Sequence, residues 1–364
     1  MKGKVFWGIV LLIILSIFIF YLNCTKNSTK YEFRIGHYLY VSNTGGSVEN
    51  KIYIISTETD LVVDSISLGP YKWPSNLALS PDKRILYVTV TLFDTLTHSG
   101  VLTHYEIDTR TKTIKYNGPN SSTKISPDGV YLFTPIPQEG QYRIFNAYSH
   151  QIVYQESTIF YPVCFDKKAP LVYGRGEKPN EIRCFNYEAK RWIQTIYIRL
   201  RDGSIPGLND YLLSPDGNTL YLLARQYDYY FCVYDLTQDS LLIQLIINSI
   251  GQLGIKPDGN TIYVTDPGGG GACVKIEPPP TGNLGVFDAQ TNTTLPSISL
   301  DPLSDSLTGH PLGPFYIRIN PDGRKAYLTI CFDRVLVIDL IMNEPLKAII
   351  FPEHSNFTLT HIAL

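Results

Sequence analysis

Charge is scarce in this chain and nowhere concentrated. Asp, Glu, Lys and Arg make up 18% of its 364 residues and the formal net charge is -2, so no basic stripe of the kind that binds nucleic acid is present. Six cysteines occur, none in a Cys-x-x-Cys or Cys-x-x-Cys-His spacing, which removes zinc ribbons, thioredoxin chemistry and covalent haem c. The seven histidines (His37, His98, His104, His150, His310, His354 and His361) form no His-x-His or His-Glu-x-x-His pair, and no metal site or cofactor is expected. A Gly-x-Ser-x-Gly elbow is missing as well. Helical periodicity is lacking through the body, whose apolar runs are short and rich in Val, Ile, Tyr and Thr. No Ser-rich or charged linker divides that body, so one large domain is a simpler reading than several.

A single long apolar run breaks this pattern. Lys2 and Lys4 precede an unbroken stretch from Val5 to Leu22, followed by Asn23-Cys24-Thr25-Lys26. Residues 1–24 therefore read as a signal or lipoprotein leader or a membrane anchor, residues 25–30 as a linker, and residues 31–364 as the folded body. Cys24 is the lipidation candidate, although Tyr21-Leu22-Asn23 departs from the usual Leu-small-small pattern before a lipidated cysteine. Lipoprotein and uncleaved anchor both stay open; either places the body outside the cytoplasmic membrane, attached through its N-terminus.

The body is a repeat. Ser80-Pro81-Asp82 leads to Tyr87, Ser126-Pro127-Asp128-Gly129 to Phe133, Ser214-Pro215-Asp216-Gly217 to Tyr221, Lys256-Pro257-Asp258-Gly259 to Tyr263, and Asn320-Pro321-Asp322-Gly323 to Tyr327. Two further copies are degraded: Asp166-Lys167-Lys168-Ala169 before Tyr173, with its turn chemistry expected to be lost, and Gly36 before Tyr40. A period of roughly 40 to 48 residues suits a four-stranded propeller blade, with proline presetting each turn and glycine accepting positive φ. A second column, Ser56, Asp108, Asn146, Asn186, Asp235, Asp288 and Asp339, ends a strand in each copy. Asx turns explain those side chains more simply than calcium does. The expected fold is all-β, a seven-bladed propeller of four-stranded blades, closed where Ile362-Ala363-Leu364 completes the first blade in the manner of Leu77-Ala78-Leu79.

At Tyr40-Val41-Ser42-Asn43, Tyr87-Val88-Thr89-Val90 and Tyr263-Val264-Thr265-Asp266 the chain resembles the YVTN-type seven-bladed propellers, a likeness covering residues 31–364. That family and the related lactonase-like and haem d1-type propellers include surface proteins, sugar-lactone hydrolases and redox subunits. The resemblance thus implies an architecture and leaves activity open.

Insertions point to one working face. Leu92 to Gly100, Arg199 to Asp210, Asp266 to Gly282 and Asp301 to Pro314 all fall on the side of the second-to-third-strand loops and interblade connectors. Candidate binding residues there are Arg175 and Glu177, Arg225 and Asp228, and Asp266, expected to ring the channel mouth, with Trp73 in a connector and His310 in the longest one. The Gly-rich stretch after Asp266 has no strand-to-helix context and is neither a dinucleotide fingerprint nor a P-loop. These features imply a monomeric, membrane-tethered binding module for a protein, a glycan or a small polar ligand. The alternative is a lactonase-like hydrolase or redox accessory propeller using the channel mouth. Cys184 and Cys232, one position out of register on neighbouring third strands, are expected to meet across a blade interface, as a disulfide or as packed thiols.

Overall fold

The computed structural model describes residues 37–44, 50–119, 124–248, 251–266, 282–300, 314–330, 334–351 and 358–363. Gly36–Leu364 forms one compact unit. Its strands build seven four-stranded antiparallel sheets, each made of sequential strands except the first, in which Thr358–Ala363 pairs with Tyr38–Thr44. The remaining blades span residues 72–119, 124–156, 161–197, 207–247, 253–299 and 314–350. Closure has the expected register: Ala363 lies opposite Tyr40 as Ala78 lies opposite Tyr87.

The aromatic column explains the blades. Tyr40, Tyr87, Phe133, Tyr173, Tyr221, Tyr263 and Tyr327 each stand on a second strand and none is more than 5% exposed. A ring of about 150–250 Å² buried at that position in every blade is the recurrent apolar payload that holds neighbouring sheets face to face.

The turns between first and second strands are built by their serines. Ser80 donates its hydroxyl to Asp82 Oδ1 (2.6 Å) and accepts the Ile85 N–H (2.9 Å). Ser126 and Ser214 accept the N–H groups of Tyr131 and Thr219 in the same way. In the fourth blade the turn chemistry is replaced, not lost: Asp166 occupies the serine position and its Oδ1 accepts the N–H groups of Lys168 (2.7 Å) and Ala169 (3.3 Å). Gly36, the remnant of the first turn, lies outside the described residues.

These turns also touch one another around the ring. A methyl group placed on Gly129, Gly259 or Gly323 would lie 3.0, 2.9 or 3.2 Å from the Cδ of Pro81, Pro215 or Pro257 in the preceding blade's turn. Glycine is required there twice over, by positive φ and by this close approach. The second blade has Lys83 at that position (φ 61°), and the blade before it has no such proline.

The second column makes Asx turns. Asp108, Asp235, Asp288 and Asp339 each accept, through Oδ1, the N–H groups two and three residues on, and Asn146 does the same. Four residues after each column position the chain turns left-handed, at Asp60, Lys112, His150, Lys190, Asp239, Asn292 and Asn343, with φ between 50° and 60°. This is the type I turn followed by an αL residue that joins antiparallel strands with a local bulge.

Where the seventh blade meets the first, Asp60 is 5% exposed, takes the Lys325 ammonium on Oδ2 (2.6 Å) and accepts the Tyr327 hydroxyl on Oδ1 (2.8 Å). The ring therefore closes on a charge-assisted contact as well as on a strand. Cys184 and Cys232 show the predicted offset, opposite Tyr173 and Leu222, and share one apolar cluster as free thiols. Both stand as packed free thiols, and burial pushes them up to about 11 and about 12.

Candidate functional site: the channel mouth

First strands line the centre of a propeller, and here they bring unlike residues together. Two columns count back from the repeat turns. Four positions before them stand Asn76, Pro162, Asp210, Gln252 and Tyr316; two positions before them stand Ala78, Lys124, Cys164, Leu212, Gly254 and Arg318. Bulges at Pro74/Leu77, Pro162/Cys164, Leu208/Asp210 and Pro314/Tyr316 bend these strands near their outer ends and re-aim their side chains.

A cavity of about 350 Å³ opens at this end of the channel, lined by Asn76, Lys124, Asp210, Gln252 and Tyr316 with Tyr161 and Arg175 at its rim. Below it the Arg318 guanidinium bonds the carbonyl of Ile317 (2.7 Å) and reaches Gln252 Oε1 (3.5 Å). Asp210 Oδ2 accepts the Leu253 N–H (2.9 Å). Lys124, Asp210 and Arg318 are half-buried, with protein packed around them, and their acid–base behaviour follows from that. Burial pushes Asp210 above the usual carboxylate range, against the pull of the Leu253 N–H, Lys124 and Arg318. Burial and then the neighbouring Arg318 lower Lys124. Burial likewise depresses Arg318, which stays charged at any ordinary pH.

A second cavity of about 450 Å³ continues outward between Tyr161, Arg175, Glu177, Lys178, Pro179 and Leu208, sharing Tyr161 and Arg175 with the first. Arg175 Nη1 donates to the Leu208 carbonyl (3.4 Å), Glu177 accepts the Thr158 hydroxyl (3.2 Å), and the Lys178 ammonium sits 5.0 Å over the Tyr197 ring.

Of the residues singled out from sequence, Arg175 and Glu177 reach this cleft and the other described ones lie elsewhere. Arg225 packs 5.3 Å over Tyr229 at an exposed hairpin, where the Asp228 carbonyl accepts the Gln226 N–H; neither lines the channel cavity. Asp266 belongs to a separate, largely apolar cavity of about 260 Å³ between the fifth and sixth blades. Trp73 is not in a connector: it lies within the first strand of its blade (Lys72–Leu79) and stacks on Phe93 at 4.8 Å. The Leu92–Gly100 insertion is largely strand, since Ile85–Asp94 and Ser99–Asp108 extend their pairing to Asp94 opposite Ser99. His310 and Cys24 lie outside the described residues, as do the greater parts of the Asp266–Gly282 and Asp301–Pro314 insertions. Among the described residues no group of three or more His, Cys, Asp or Glu is placed to hold a metal ion.

Sequence reasoning missed Lys124, Asp210 and Arg318. The signal was available: counting back in twos from each turn puts a lysine and an arginine where other blades have small or apolar side chains.

No family model matches the chain, and no curated protein matches it. Solved structures do. Hydrazine synthase from Kuenenia stuttgartiensis aligns with a TM-score of 0.58 at 17% identity, over 73% of this chain and 76% of that one. A structure titled "Dihydro-heme d1 dehydrogenase NirN in complex with DHE" aligns with a TM-score of 0.56 at 16% identity, over 89% of this chain and 65% of that one. At such identities the likeness is one of fold, and by that measure the chain is a seven-bladed β-propeller.

Proposed function

We propose that this protein is an exported, membrane-tethered propeller of the YVTN type, working as a monomeric binding module whose loop-rich face takes a small polar ligand, free or at the end of a protein or glycan partner. The observation that carries this is the joined pair of cavities on that face, meeting at Arg175 and Tyr161. Native mass spectrometry of the protein taken from its own membrane fraction tests the reading. A retained small molecule that Arg175→Ala releases supports it; a ligand-free wild type that no membrane or periplasmic extract can load contradicts it. The tether has its own test: Cys24→Ser abolishes acyl labelling if the chain is a lipoprotein, whereas membrane attachment without acylation means a transmembrane anchor.

A second reading is a lactonase-like hydrolase at the same mouth. It is favoured by Asp210, a carboxyl raised by burial beside a lysine, which is a pairing suited to general acid–base work. Lactone hydrolysis that Asp210→Asn abolishes would move the balance to this reading. A redox role is supported only by the fold shared with dihydro-heme d1 dehydrogenase, and a macrocycle in the same mass spectra would favour it.

A further inference from the structure

The channel mouth carries an imbalance of charge that the fold does not need. Among the described residues, Lys124 and Arg318 stand with a single carboxylate, Asp210, in the channel wall, and Arg175 adds a third cation at the rim. Asp210 is already committed, through Oδ2, to the Leu253 N–H. Arg318 is engaged by Ile317 and Gln252. The Lys124 ammonium lines the cavity itself, with the Asp210 carboxylate as its opposing charge and Arg318 as a like one. Two cations that share one carboxylate in a half-buried wall leave positive charge over, which water or a bound anion satisfies.

Resting on the binding-module reading, we propose that the channel mouth is a receptor for a small organic oxyanion: its carboxylate or phosphate group is held between Lys124 in the wall and Arg175 at the rim, and the rest of the ligand lies in the groove past Tyr161. Several features fit this assignment. The charge sum favours an anion over a cation, because Lys124 and Arg318 outweigh Asp210 before Arg175 is considered. The two cavities, about 350 and 450 Å³, match the volume of a small organic molecule rather than a bare ion. Tyr161, 36% exposed at the junction, gives the body of such a ligand a ring to lie against. Glu177 lies in the outer cavity, held by Thr158, and leaves the cations of the inner cavity unopposed.

A consequence separates this site from adventitious surface binding. Because burial and Arg318 depress the Lys124 ammonium, an anion placed beside it restores its proton affinity, and binding takes up protons from solution at alkaline pH.

Isothermal titration calorimetry of the full chain at low ionic strength, with citrate and separately with inorganic phosphate, tests the proposal and distinguishes the two oxyanion classes. Saturable binding of one probe is expected, about tenfold or more weaker in Lys124→Met and largely kept in Lys124→Arg. Titrations at alkaline pH in two buffers of different ionisation enthalpy should show net proton uptake that Lys124→Met abolishes. Thermal melting of each variant checks that the ring is intact. Binding of neither probe, or equal binding by wild type and a folded Lys124→Met, overturns the proposal. If neither probe binds while Arg175→Ala still releases a retained molecule in native mass spectrometry, the oxyanion assignment fails and the binding-module reading stands.

Discussion

The two ends of the strands obey different rules. At the repeat-turn end, blades repeat the same hydrogen bonds: a side-chain oxygen opens the first turn, an Asx-type side chain opens the second, and glycines lean on the preceding prolines. At the loop-rich end no repeated contact joins the blades among the described residues, and one sector collects Lys124, Arg175 and Asp210 around a cleft. Each arrangement has a physical reason. Turns that touch their neighbours are constrained by those neighbours, so one solution propagates round the ring. Side chains that face open space or a channel are free to differ, and that is where a rigid scaffold can carry chemistry.

The sharpest way to break this contrast is at the seam. Asp60→Ala leaves the Lys325 ammonium and the Tyr327 hydroxyl without their carboxylate, and we expect a loss of roughly 2–4 kcal/mol in chemical denaturation with the channel mouth unchanged. Next in size is Gly259→Ala. It forces a methyl group into a φ of +78° at 2.9 Å from Pro215, for about 1–3 kcal/mol. Gly285→Ala, whose added methyl meets Val264 at an ordinary 3.5 Å, should stay within about 1 kcal/mol.

A smaller effect isolates one hydroxyl within a single column. Tyr327→Phe removes a donor to Asp60 and should cost about 1–1.5 kcal/mol. Tyr263→Phe removes a buried hydroxyl that has no hydrogen-bond partner among the described residues, so it should be neutral or slightly stabilising in the same melt.

The mildest test uses acid. Asp82, Asp108, Asp216, Asp235, Asp288 and Asp339 are held below the usual carboxylate range, led respectively by the Ser80 hydroxyl, Lys115, the Ser214 hydroxyl, the Thr237 hydroxyl, and the N–H groups of Thr291 and Met342. A carboxyl lowered on folding adds stability above its unfolded value and loses it as pH falls through the folded one. Stability should therefore decline from about pH 4 downward, toward the Asp108 value of about 2. Asp339→Asn keeps an acceptor of the kind that Asn146 already supplies, and should flatten that decline slightly at little cost near neutral pH.

The scaffold was legible because its determinants are local. A turn needs its proline, aspartate and glycine within four residues, and Tyr87 or Tyr263 sits at a fixed distance from them. Even the fourth blade obeys the rule once Asp166 is allowed to stand for serine. The site was legible only in part because it is assembled across blades. Arg175 and Glu177 were found from their place at a strand end, but the same logic chose Arg225 and Asp228, whose hairpin turns them to solvent. Lys124 and Asp210 belong to different blades and meet only through closure of the ring and the bulge at Leu208/Asp210, which no local pattern announces.

Hydrogen–deuterium exchange of the whole chain, with and without citrate or phosphate, tests the division of labour most directly. We predict slowed exchange confined to the strands that line the cleft at the loop-rich end, in Lys124–Ile125, Tyr161–Phe165, Leu171–Arg175 and Gly207–Leu213, with the repeat turns unchanged. Slowing at the repeat turns instead, or none anywhere while a probe is bound, would contradict the assignment of function to the channel mouth.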